Sequence, residues 1–575
     1  YTTLFRSLTP IGELLYVGSQ LNLIRPKFQD GIYYPEMIIL DPDFLVDIST
    51  IAETFEEYGL TPLSYLVKRL SPRMNSQAIL IGNLAGQFLD EEVYDNHQTS
   101  YKESAVRFFQ NNPIALITCP DFNSFDFHRE AKNQQQNIRR YTEKQLDGFR
   151  IFDPEKVLLE PSFFCETLGL QGRMDLLTDD KRVLIEQKSG KWNFPNGGHQ
   201  EKHYVQMLFY LAWLRYNLKL STEDISCLLL YSKYPTIGKD IHEENGLIKE
   251  GPAPKLLFTA IQLRNSIVAL EKRLSEGAIT LLDKIDAETL NVNNTQSKLW
   301  KNFQKPSIEK VLAAVQQAYD LEKEYFFRLY TFEDKEYHLA KTEFASAWNL
   351  TMDEKIEQGI AYADLQIVGL SSTEDSKAGV DHITMKVGEK GLDNLPNFRT
   401  GDVVVCYAYD KEEEPNMCKD IVLRATLSDM QDDTLTLKLR SPQRNKHIFE
   451  QKKHIRWAIE HDFLDSSYSS VFKSLFSFLL MRNKHRKDLI LNKRKPETDE
   501  TVHLLGDYGT FNELVLRTKQ AKDYFLVIGP PGTGKTSFAL VNILKETLLT
   551  PSSSVMLASY TNRAVEEICS KQIGR

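Results

Sequence analysis

The chain of 575 residues has little of three features that would each define a class of protein. Its six cysteines lie far apart and form no Cys-x-x-Cys pair, which excludes a zinc ribbon and a disulfide scaffold. No apolar run approaches the length needed to cross a bilayer, so a membrane protein is excluded. The formal net charge is -9, so any contact with nucleic acid must be made by a local basic surface.

The N-terminal sequence carries no basic and then apolar leader, and it starts at Tyr1. We therefore expect an intracellular, cytoplasmic protein, nucleoid-associated if bacterial, with no membrane partner. The composition, with 42% hydrophobic and 26% charged residues, is that of a globular protein. The length predicts three or four units, each with its own core.

Hydrophobic periodicity divides the first half of the chain. Residues 36–95 show a helical pattern, and short β-type runs follow from "VLLEPSFF" to "RVLIEQK". A long helix, "QEKHYVQMLFYLAWLRYNLK", leads to the strand "ISCLLLYSK". A further strand, "KLLFTAIQL", is predicted before the helix "RNSIVALEKRL". This order predicts an α/β unit.

The second half of the chain changes character three times. Residues 280–345 are helical and highly charged, which predicts a connector or stalk. Residues 350–445 are rich in β-branched residues between Gly, Asp and Pro turns, which predicts a small β-barrel. Helices are predicted to return from "HIRWAIEHDFLDSSYSSVF". Residues 521–575 predict strand, Gly-rich loop, helix, strand and helix.

A phosphate-binding loop is predicted in "YFLVIGPPGTGKTSFALVNIL", which has the spacing G-x-x-x-x-G-K-S/T between an apolar strand and an amphipathic helix. In this motif backbone N–H groups surround phosphate oxygens, the lysine reaches the terminal phosphates and the hydroxyl binds Mg²⁺. The alternative is a Gly/Pro-rich turn without function. The ATP-binding candidates are Gly529, Pro530, Pro531, Gly532, Thr533, Gly534, Lys535 and Thr536.

A candidate metal site lies in "GRMDLLTDDKRVLIEQKSGK", residues 172–191. Asp175 and Glu186 can converge from adjoining strands, and strand alternation puts Lys188 on the same face as Glu186. Phosphodiester cleavage with divalent cations needs such carboxylates beside a cationic group. The carbonyl of Gln187 is a further candidate ligand. By itself this pattern is more typical of an ordinary hairpin with charges on its solvated face.

The helix that follows makes the pattern more specific. "HYVQMLFYLAWL" places Gln206 and Tyr210 four residues apart on one face, with His203 one turn earlier. Together the three motifs resemble the RecB-type branch of the PD-(D/E)XK nucleases. The resemblance implies that Asp175 and Glu186 bind Mg²⁺ or Mn²⁺. It also implies catalytic roles for Lys188, Gln206 and Tyr210.

The chain departs from this nuclease family in two places. The family often has a metal-binding His in an upstream "GNxxH" helix, and here "GNLAGQFLDEE" has Gly86 at that position. Replacement candidates are Asp90, His97 and His128. Glu160 is matched to an acidic residue on the preceding strand. Relatives often hold an iron–sulfur cluster by four cysteines, and the cysteine spacing here predicts that the cluster is absent.

The C-terminal segment resembles another enzyme family. "GPPGTGKT" followed by "ASYTNRAVEEI" resembles motifs I and Ia of superfamily 1 helicases, and the barrel with its flanking helices resembles that of superfamily 1B. The resemblance implies that Thr561 and Asn562 contact a single strand, although a helix N-cap would use the same groups. Later helicase motifs are absent, so we expect the front part of a longer protein. Gln520 is the nearest candidate for an adenine contact.

A basic cluster precedes this segment. It can neutralise phosphates, or it can be a solvated helix face. The cluster contains Arg482, Lys484, Arg486, Lys487, Lys493, Arg494 and Lys495.

Both resemblances together imply a multidomain α/β protein like the replication helicase-nucleases of eukaryotes. It would be a metal-dependent nuclease coupled to an ATP-dependent superfamily 1B motor, acting on single-stranded or flap DNA, with RNA as an alternative substrate. One alternative is a remodelling helicase whose nuclease-like domain is weak or inactive, and another is a docking scaffold. The implied domains are a PD-(D/E)XK nuclease (1–280), a helical connector (281–349), a β-barrel (350–447), a helical stalk return (448–500) and the start of a RecA-like P-loop domain (501–575).

Overall fold

The structure is a computed structural model with two compact units, residues 1–398 with 402–479, and residues 399–401 with 480–575. It describes residues 11–570 apart from 73, 96–97, 146–152, 193–197, 236–245, 374–375, 377–378, 389–396, 432, 451, 464, 531, 560–564 and 566–567. Within these residues, no helix combines the length and apolarity needed to cross a membrane.

The first unit begins with two strand pairs and a group of helices. Strand β1 (Leu21–Ile24) pairs with β4 (Met37–Leu40), and β2 (Lys27–Gln29) pairs with β3 (Ile32–Tyr34). A short strand β5 (Val46–Asp47) follows, so the helical pattern predicted from residue 36 is wrong as far as residue 47. The helices are α1 (Ile48–Glu53), α2 (Pro62–Leu70), α3 (Gln77–Tyr94), α4 (Tyr101–Asn111), α5 (Pro113–Ile117) and α6 (Ser124–Arg140).

A five-stranded sheet is the centre of the α/β part. Its strand order is β12-β11-β10-β9-β6, with β10 and β11 parallel and the other neighbours antiparallel. Helix α7 (Glu201–Tyr216) connects β10 to β11, and nearly all of its second half is buried. The strands are β6 (Val157–Leu159), β9 (Leu176–Thr178), β10 (Val183–Lys188), β11 (Ser226–Tyr231) and β12 (Leu247–Glu250), while β7 (Ser162–Cys165) and β8 (Leu170–Arg173) form a three-stranded sheet with β5.

The predicted strand "KLLFTAIQL" is wrong, because residues Pro254–Ser275 form one helix, α8. Proline is tolerated in the first turn, where its missing N–H has no helical acceptor. The buried positions recur with helical spacing along the whole element, from Leu257 to Leu274. The short apolar run is part of a long helix. The local sequence alone did not distinguish this run from a strand.

The connector is helical, as predicted. It contains α9 (Ala287–Leu290), α10 (Lys305–Gln316) and the 27-residue helix α11 (Asp320–Ser346), followed by α12 (Met352–Glu357). On α11 the buried residues are few and widely spaced, including Phe326, Tyr330 and Tyr337. Most of the charged residues therefore lie on the exposed side of a long helix.

The predicted β-barrel is confirmed as a closed, six-stranded barrel of order β13-β14-β17-β16-β15-β18. Its interior holds apolar side chains from every strand, among them Leu365, Ile383 and Leu437. "HIRWAIEHDF", predicted as helical, instead supplies the closing strand, because β13 and β15 on either side satisfy its backbone groups. The strands are β13 (Ala361–Ser371), β14 (Val380–Lys386), β15 (Val403–Asp410), β16 (Leu423–Met430), β17 (Thr434–Gln443) and β18 (Ile455–His461), and helix α13 (Asp465–Leu480) follows.

The barrel is hydrogen-bonded to the edge of the central sheet. The side chain of Gln443 accepts from the Leu159 N–H (3.0 Å) and donates to the Leu159 carbonyl (2.9 Å), as a neighbouring strand would. Ser162 and Val422 form an isolated antiparallel bridge. Strand β6 is thus covered by the barrel instead of ending the sheet as a free edge.

The second unit contains helices α14 (Lys484–Ile490), α15 (Asn512–Gln520) and α16 (Val541–Leu548), with a π-helical turn (Lys535–Leu540) before α16. The strands predicted on both sides of the phosphate loop are wrong for the described residues, which are irregular there. Ile528 and Met556 are 93% and 87% exposed. A parallel strand requires hydrogen-bonded neighbours, and no described segment of this unit pairs with either one.

Candidate active site

The hairpin of β9 and β10 brings Asp175, Glu186 and Lys188 together. Asp175 directly precedes β9, and the pairing of Leu176 with Ile185 places it beside the end of β10. The Gln187 N–H donates to Asp175 Oδ2 at 2.7 Å. The sequence prediction that these carboxylates converge from adjoining strands therefore agrees with the geometry.

Helix α7 supplies the second half of the cluster. Lys188 Nζ donates to Glu186 Oε1 (2.6 Å) and to Gln206 Oε1 (3.0 Å). Gln206 Nε2 lies 2.7 Å from Glu186 Oε1 and 2.9 Å from the Tyr210 hydroxyl, which donates to the Arg173 carbonyl at 2.5 Å. The i, i+4 spacing of Gln206 and Tyr210 thus joins the helix to β10 through Glu186 and to β8 through Arg173.

The cluster is buried, and its charges perturb one another. Glu186 is 3% exposed and Tyr210 is fully buried. Burial, with the charge of Glu186, raises the pKa of Asp175 to about 7. Burial by itself lowers the pKa of the Lys188 ammonium. The negative charges of Glu186 and Asp175 outweigh burial, so the pKa is raised. A buried lysine shared between carboxylates is expected at a site that handles anionic substrates.

Two further acidic residues lie beside the cluster. Glu160 follows β6, and its N–H donates to the Asp175 carbonyl at 3.0 Å. Its carboxylate is held by Arg173 and by Ser441 of the barrel, each at 2.7 Å. Burial, with the charges of Glu160 and Asp175, raises the pKa of Asp90 on α3 well above its usual value. Asp90 is thus near enough to Glu160 and Asp175 for their charges to act on it, and its role as a replacement ligand stays a prediction.

The histidines near the motifs have other surroundings. His203 Nδ1 lies 2.8 Å from the Tyr231 hydroxyl, and burial lowers the pKa of His203 to about 3. His128 is hydrogen-bonded to Tyr101 (2.6 Å) and contacts the ring of Phe109. His97 lies outside the described residues.

The residues of this cluster suit a divalent cation with oxygen ligands. Glu186 Oε2 is buried and has no hydrogen-bond partner among the described residues. Those residues contain no group of three Asp, Glu, His or Cys side chains placed to hold a metal by themselves. Two carboxylates with a main-chain carbonyl would suffice for Mg²⁺, because this ion keeps several waters and shares substrate phosphates. The residues that fit are Asp175, Glu186 and the carbonyl of Gln187.

Buried polar side chains support β10 from outside the three motifs. Gln187 Nε2 donates to Ser232 Oγ (2.6 Å), and Ser232 donates to Gln134 on α6. Gln134 in turn donates to the Ser189 carbonyl at 2.9 Å. No motif in the sequence identifies Ser232, Gln134 or Ser441, because single polar residues far apart in the chain give no local pattern.

In the phosphate loop of the second unit, the lysine is hydrogen-bonded to carbonyl groups of the loop itself. Lys535 Nζ donates to the Gly529 carbonyl and, at 3.0 Å, to the Pro530 carbonyl. A Cβ at Gly529 would lie 2.7 Å from Thr533 Oγ1, and one at Gly534, where φ is +81°, would lie 2.8 Å from the Phe538 ring. The left-handed backbone at Gly534 favours glycine, whereas a side chain at Gly529 would have to displace those of Thr533 and Lys535. The resulting backbone cradle with its ammonium suits a phosphate.

The structure describes only some of the other residues that were predicted to contact nucleotide or nucleic acid in the second unit. Pro531, Thr561 and Asn562 lie outside the described residues. Gln520 donates to the Val502 carbonyl at 3.1 Å. In the basic cluster, Arg494 is committed to a two-pronged ion pair with Asp523 (2.7 and 2.8 Å), whereas Arg482, Lys484, Arg486, Lys493 and Lys495 are exposed.

No family model matches the chain. One stretch is 31% identical, over 130 residues, to a DNA replication ATP-dependent helicase/nuclease of Arabidopsis thaliana. The similarity covers 20% of this chain and 10% of the relative, so the chain spans about a tenth of the length of the protein it matches. Part of the chain is therefore similar to a helicase/nuclease.

Proposed function

We propose that the first unit is a metal-dependent nuclease of the PD-(D/E)XK type. The observation that carries this proposal is the buried, hydrogen-bonded cluster of Glu186, Lys188, Gln206 and Tyr210 beside Asp175. Glu186 is buried and Asp175 and Lys188 are half-buried, which costs free energy unless their interactions compensate for it. A charged hairpin without function would instead leave these groups in water.

Each residue of the cluster has a role in strand cleavage. Mg²⁺ or Mn²⁺ at Asp175, Glu186 and the Gln187 carbonyl would supply Lewis-acid stabilisation of the scissile phosphate. Lys188 presents its N–H groups to an attacking water or a phosphate oxygen, and Gln206 fixes the direction of that ammonium. Tyr210 holds Gln206 against the backbone of β8.

We further propose that the nuclease is coupled to an ATP-dependent superfamily 1B helicase. The loop from Gly529 to Thr536, with the left-handed Gly534 and its lysine, supports nucleotide binding with Mg²⁺. Thr561 and Asn562 are proposed to contact the strand. The substrate would be single-stranded or flap DNA, with RNA as the alternative.

Metal removal tests the nuclease directly. The chain is freed of metal with EDTA and incubated without ATP with end-labelled single-stranded DNA or RNA, and Mg²⁺ or Mn²⁺ is then restored. We expect no cleavage in EDTA and cleavage after either metal is restored, because the phosphate charge needs a cation at the carboxylates. Cleavage that persists in EDTA, or that no metal restores, would overturn the proposal.

Two observations favour a second candidate, a nucleic-acid remodelling helicase whose nuclease-like domain is weak or inactive. Gly86 stands where the family often has a metal-binding His, and a Cβ there would meet open space. The described residues also lack three metal-binding side chains in one group. This candidate predicts strand binding without cleavage under every metal condition.

A further inference from the structure

A large cavity in the first unit lies beside the carboxylate cluster. Its volume is about 810 Å³, and its walls come from β5 with α1, from α2, from α11, from the barrel and from the start of α13. Six basic side chains line it, against two acidic ones, in a chain whose net charge is -9. The basic residues are Lys68, Arg69, Lys341, Arg424, Arg440 and Lys473.

Aromatic rings line the same cavity. The rings of Phe463 and Tyr468 are 6.0 Å apart at 20°, and the ring of Tyr337 lies 5.0 Å from that of Tyr468. Tyr468 and Phe463 are only partly buried. Cations that track phosphates, together with ring faces on which bases stack, are the features that bind a single nucleic-acid strand without sequence preference.

The five residues of the cluster do not line the cavity, but two residues that line it act on the cluster or on its neighbour Glu160. Glu53 lines the cavity, and its charge acts on the ammonium of Lys188. Arg440 lines it on the barrel side and interacts with Glu160, whose carboxylate also accepts a hydrogen bond from the neighbouring Ser441. A strand in the cavity would therefore lie next to the carboxylates.

Among the basic residues that line the cavity, Arg440 has the fewest hydrogen-bond and ion-pair partners. Arg69 is paired with Glu271 (2.6 Å) and Asp334 (2.9 Å), and Arg424 with Asp462 (2.9 Å). Arg440 is exposed and has no ion-pair partner within 4 Å in the described part of the chain. Burial of its stem and the nearby charge of Arg173 lower the pKa of Arg440, an effect that a bound phosphate would offset.

We propose that this cavity binds the backbone of a single nucleic-acid strand next to the cleavage site, and that Arg440 holds a phosphate of that strand. The barrel then contributes directly to substrate binding by the nuclease domain. This inference rests on the proposed nuclease function for the orientation of the strand toward the carboxylates.

The test measures strand binding without catalysis. Fluorescent (dT)20 and (rU)20 are titrated with the chain in EDTA at several salt concentrations. The variants are Arg440→Ala, Arg440→Lys and Lys438→Ala. Lys438 is the matched control, because it is an exposed cation on the same strand that does not line the cavity.

We expect Arg440→Ala to weaken binding about tenfold and to reduce the slope of log K against log salt by about 1, as loss of one phosphate contact should. Arg440→Lys should recover most of the affinity, and Lys438→Ala should bind as the parent does. A loss with both polymers supports backbone recognition, and a loss with one identifies which strand the cavity takes. Parental binding by Arg440→Ala, or an equal loss in Lys438→Ala, would overturn the proposal.

Failure of this inference is distinguishable from failure of the nuclease. In the same experiment Glu186→Ala should bind both polymers and, after Mg²⁺ is restored, should not cut them. If Glu186→Ala still cuts, the proposed catalytic function fails, whereas the binding result for Arg440 keeps its meaning.

Discussion

At the scale of single residues, the candidate site depends on hydrogen bonds that leave little freedom to its side chains. Gln206 uses its amide oxygen for Lys188 and its amide nitrogen for Glu186 and Tyr210. Its orientation is therefore fixed by a donor on one side and acceptors on the other. Such a fixed amide keeps the lysine pointing along one direction, which is the requirement for positioning a water or a phosphate oxygen.

Tyr210→Phe tests this arrangement. It removes the hydroxyl that accepts from Gln206 and donates to the Arg173 carbonyl, and it leaves both without that partner. We expect a loss of about 1–2 kcal/mol in unfolding free energy, together with slower cleavage. Denaturant midpoints measure the change in unfolding free energy. Tyr204→Phe is the control, since that hydroxyl on the same helix bonds an exposed carbonyl of Gly251; equal stability of the two variants would contradict the account.

At the scale of elements, helix α8 is attached to the N-terminal strands through a buried arginine. Arg264 is fully buried and donates to the carbonyls of Gly169 (3.2 Å), Asp41 (2.9 Å) and Phe44 (2.7 Å), and also to that of Leu40. Burial lowers the pKa of Arg264 to about 9. This guanidinium satisfies carbonyls that would otherwise be buried without partners.

Gly169→Ala should disrupt that attachment. Gly169 has φ +63°, and a Cβ there would lie 2.1 Å from Arg264 Nη2. We expect a loss of about 3 kcal/mol from left-handed backbone strain and displacement of the guanidinium. Gly18→Ala measures the backbone strain alone, because Gly18 has φ +94° and a Cβ there would have nothing within 4 Å. Thermal unfolding should show a smaller loss, about 1 kcal/mol, for Gly18→Ala; equal losses would mean that the contact with Arg264 is unimportant.

The elements also show what the sequence can and cannot predict. The hairpin of β9 and β10 and helix α7 were predictable, because their periodicity is strong and the site residues lie close together in the chain. Strand β18 and helix α8 were not, because barrel closure and long-range packing override short apolar patterns. The contacts of Ser441 with Glu160 and of Ser232 with Gln187 depend on tertiary folding, so no local pattern in the sequence could predict them.

At the scale of the whole molecule, the two units have different kinds of stabilisation. The first has several apolar clusters and a barrel core. In the second, one carboxylate, Glu546, accepts from Lys519 Nζ (2.5 Å), the Tyr508 hydroxyl (2.8 Å) and the N–H groups of Leu505 and Gly506 (2.8 and 3.0 Å). Although burial acts in the opposite direction, these donors lower the pKa of Glu546 to about 2.

The second unit should therefore lose stability in acid. A carboxylate whose pKa is lowered on folding stabilises fully above its unfolded value of 4.5 and loses that effect as the pH falls toward about 2. Glu546→Gln should cost about 2 kcal/mol at pH 7 and much less near pH 3. Hydrogen exchange of the Leu505 and Gly506 amides measures this loss, and the same cost at both pH values would contradict the assignment.

The most direct measurement of the central claim is cleavage of labelled single-stranded DNA in Mn²⁺ by four proteins: the parent, Glu186→Ala, Lys188→Ala and the control Lys191→Ala. Lys191 is an exposed lysine three residues beyond Lys188, so its removal changes charge without touching the cluster. The account predicts cleavage by the parent and by Lys191→Ala, and losses of at least about 100-fold in the other two variants. Cleavage by Glu186→Ala or Lys188→Ala at the parental rate would contradict it.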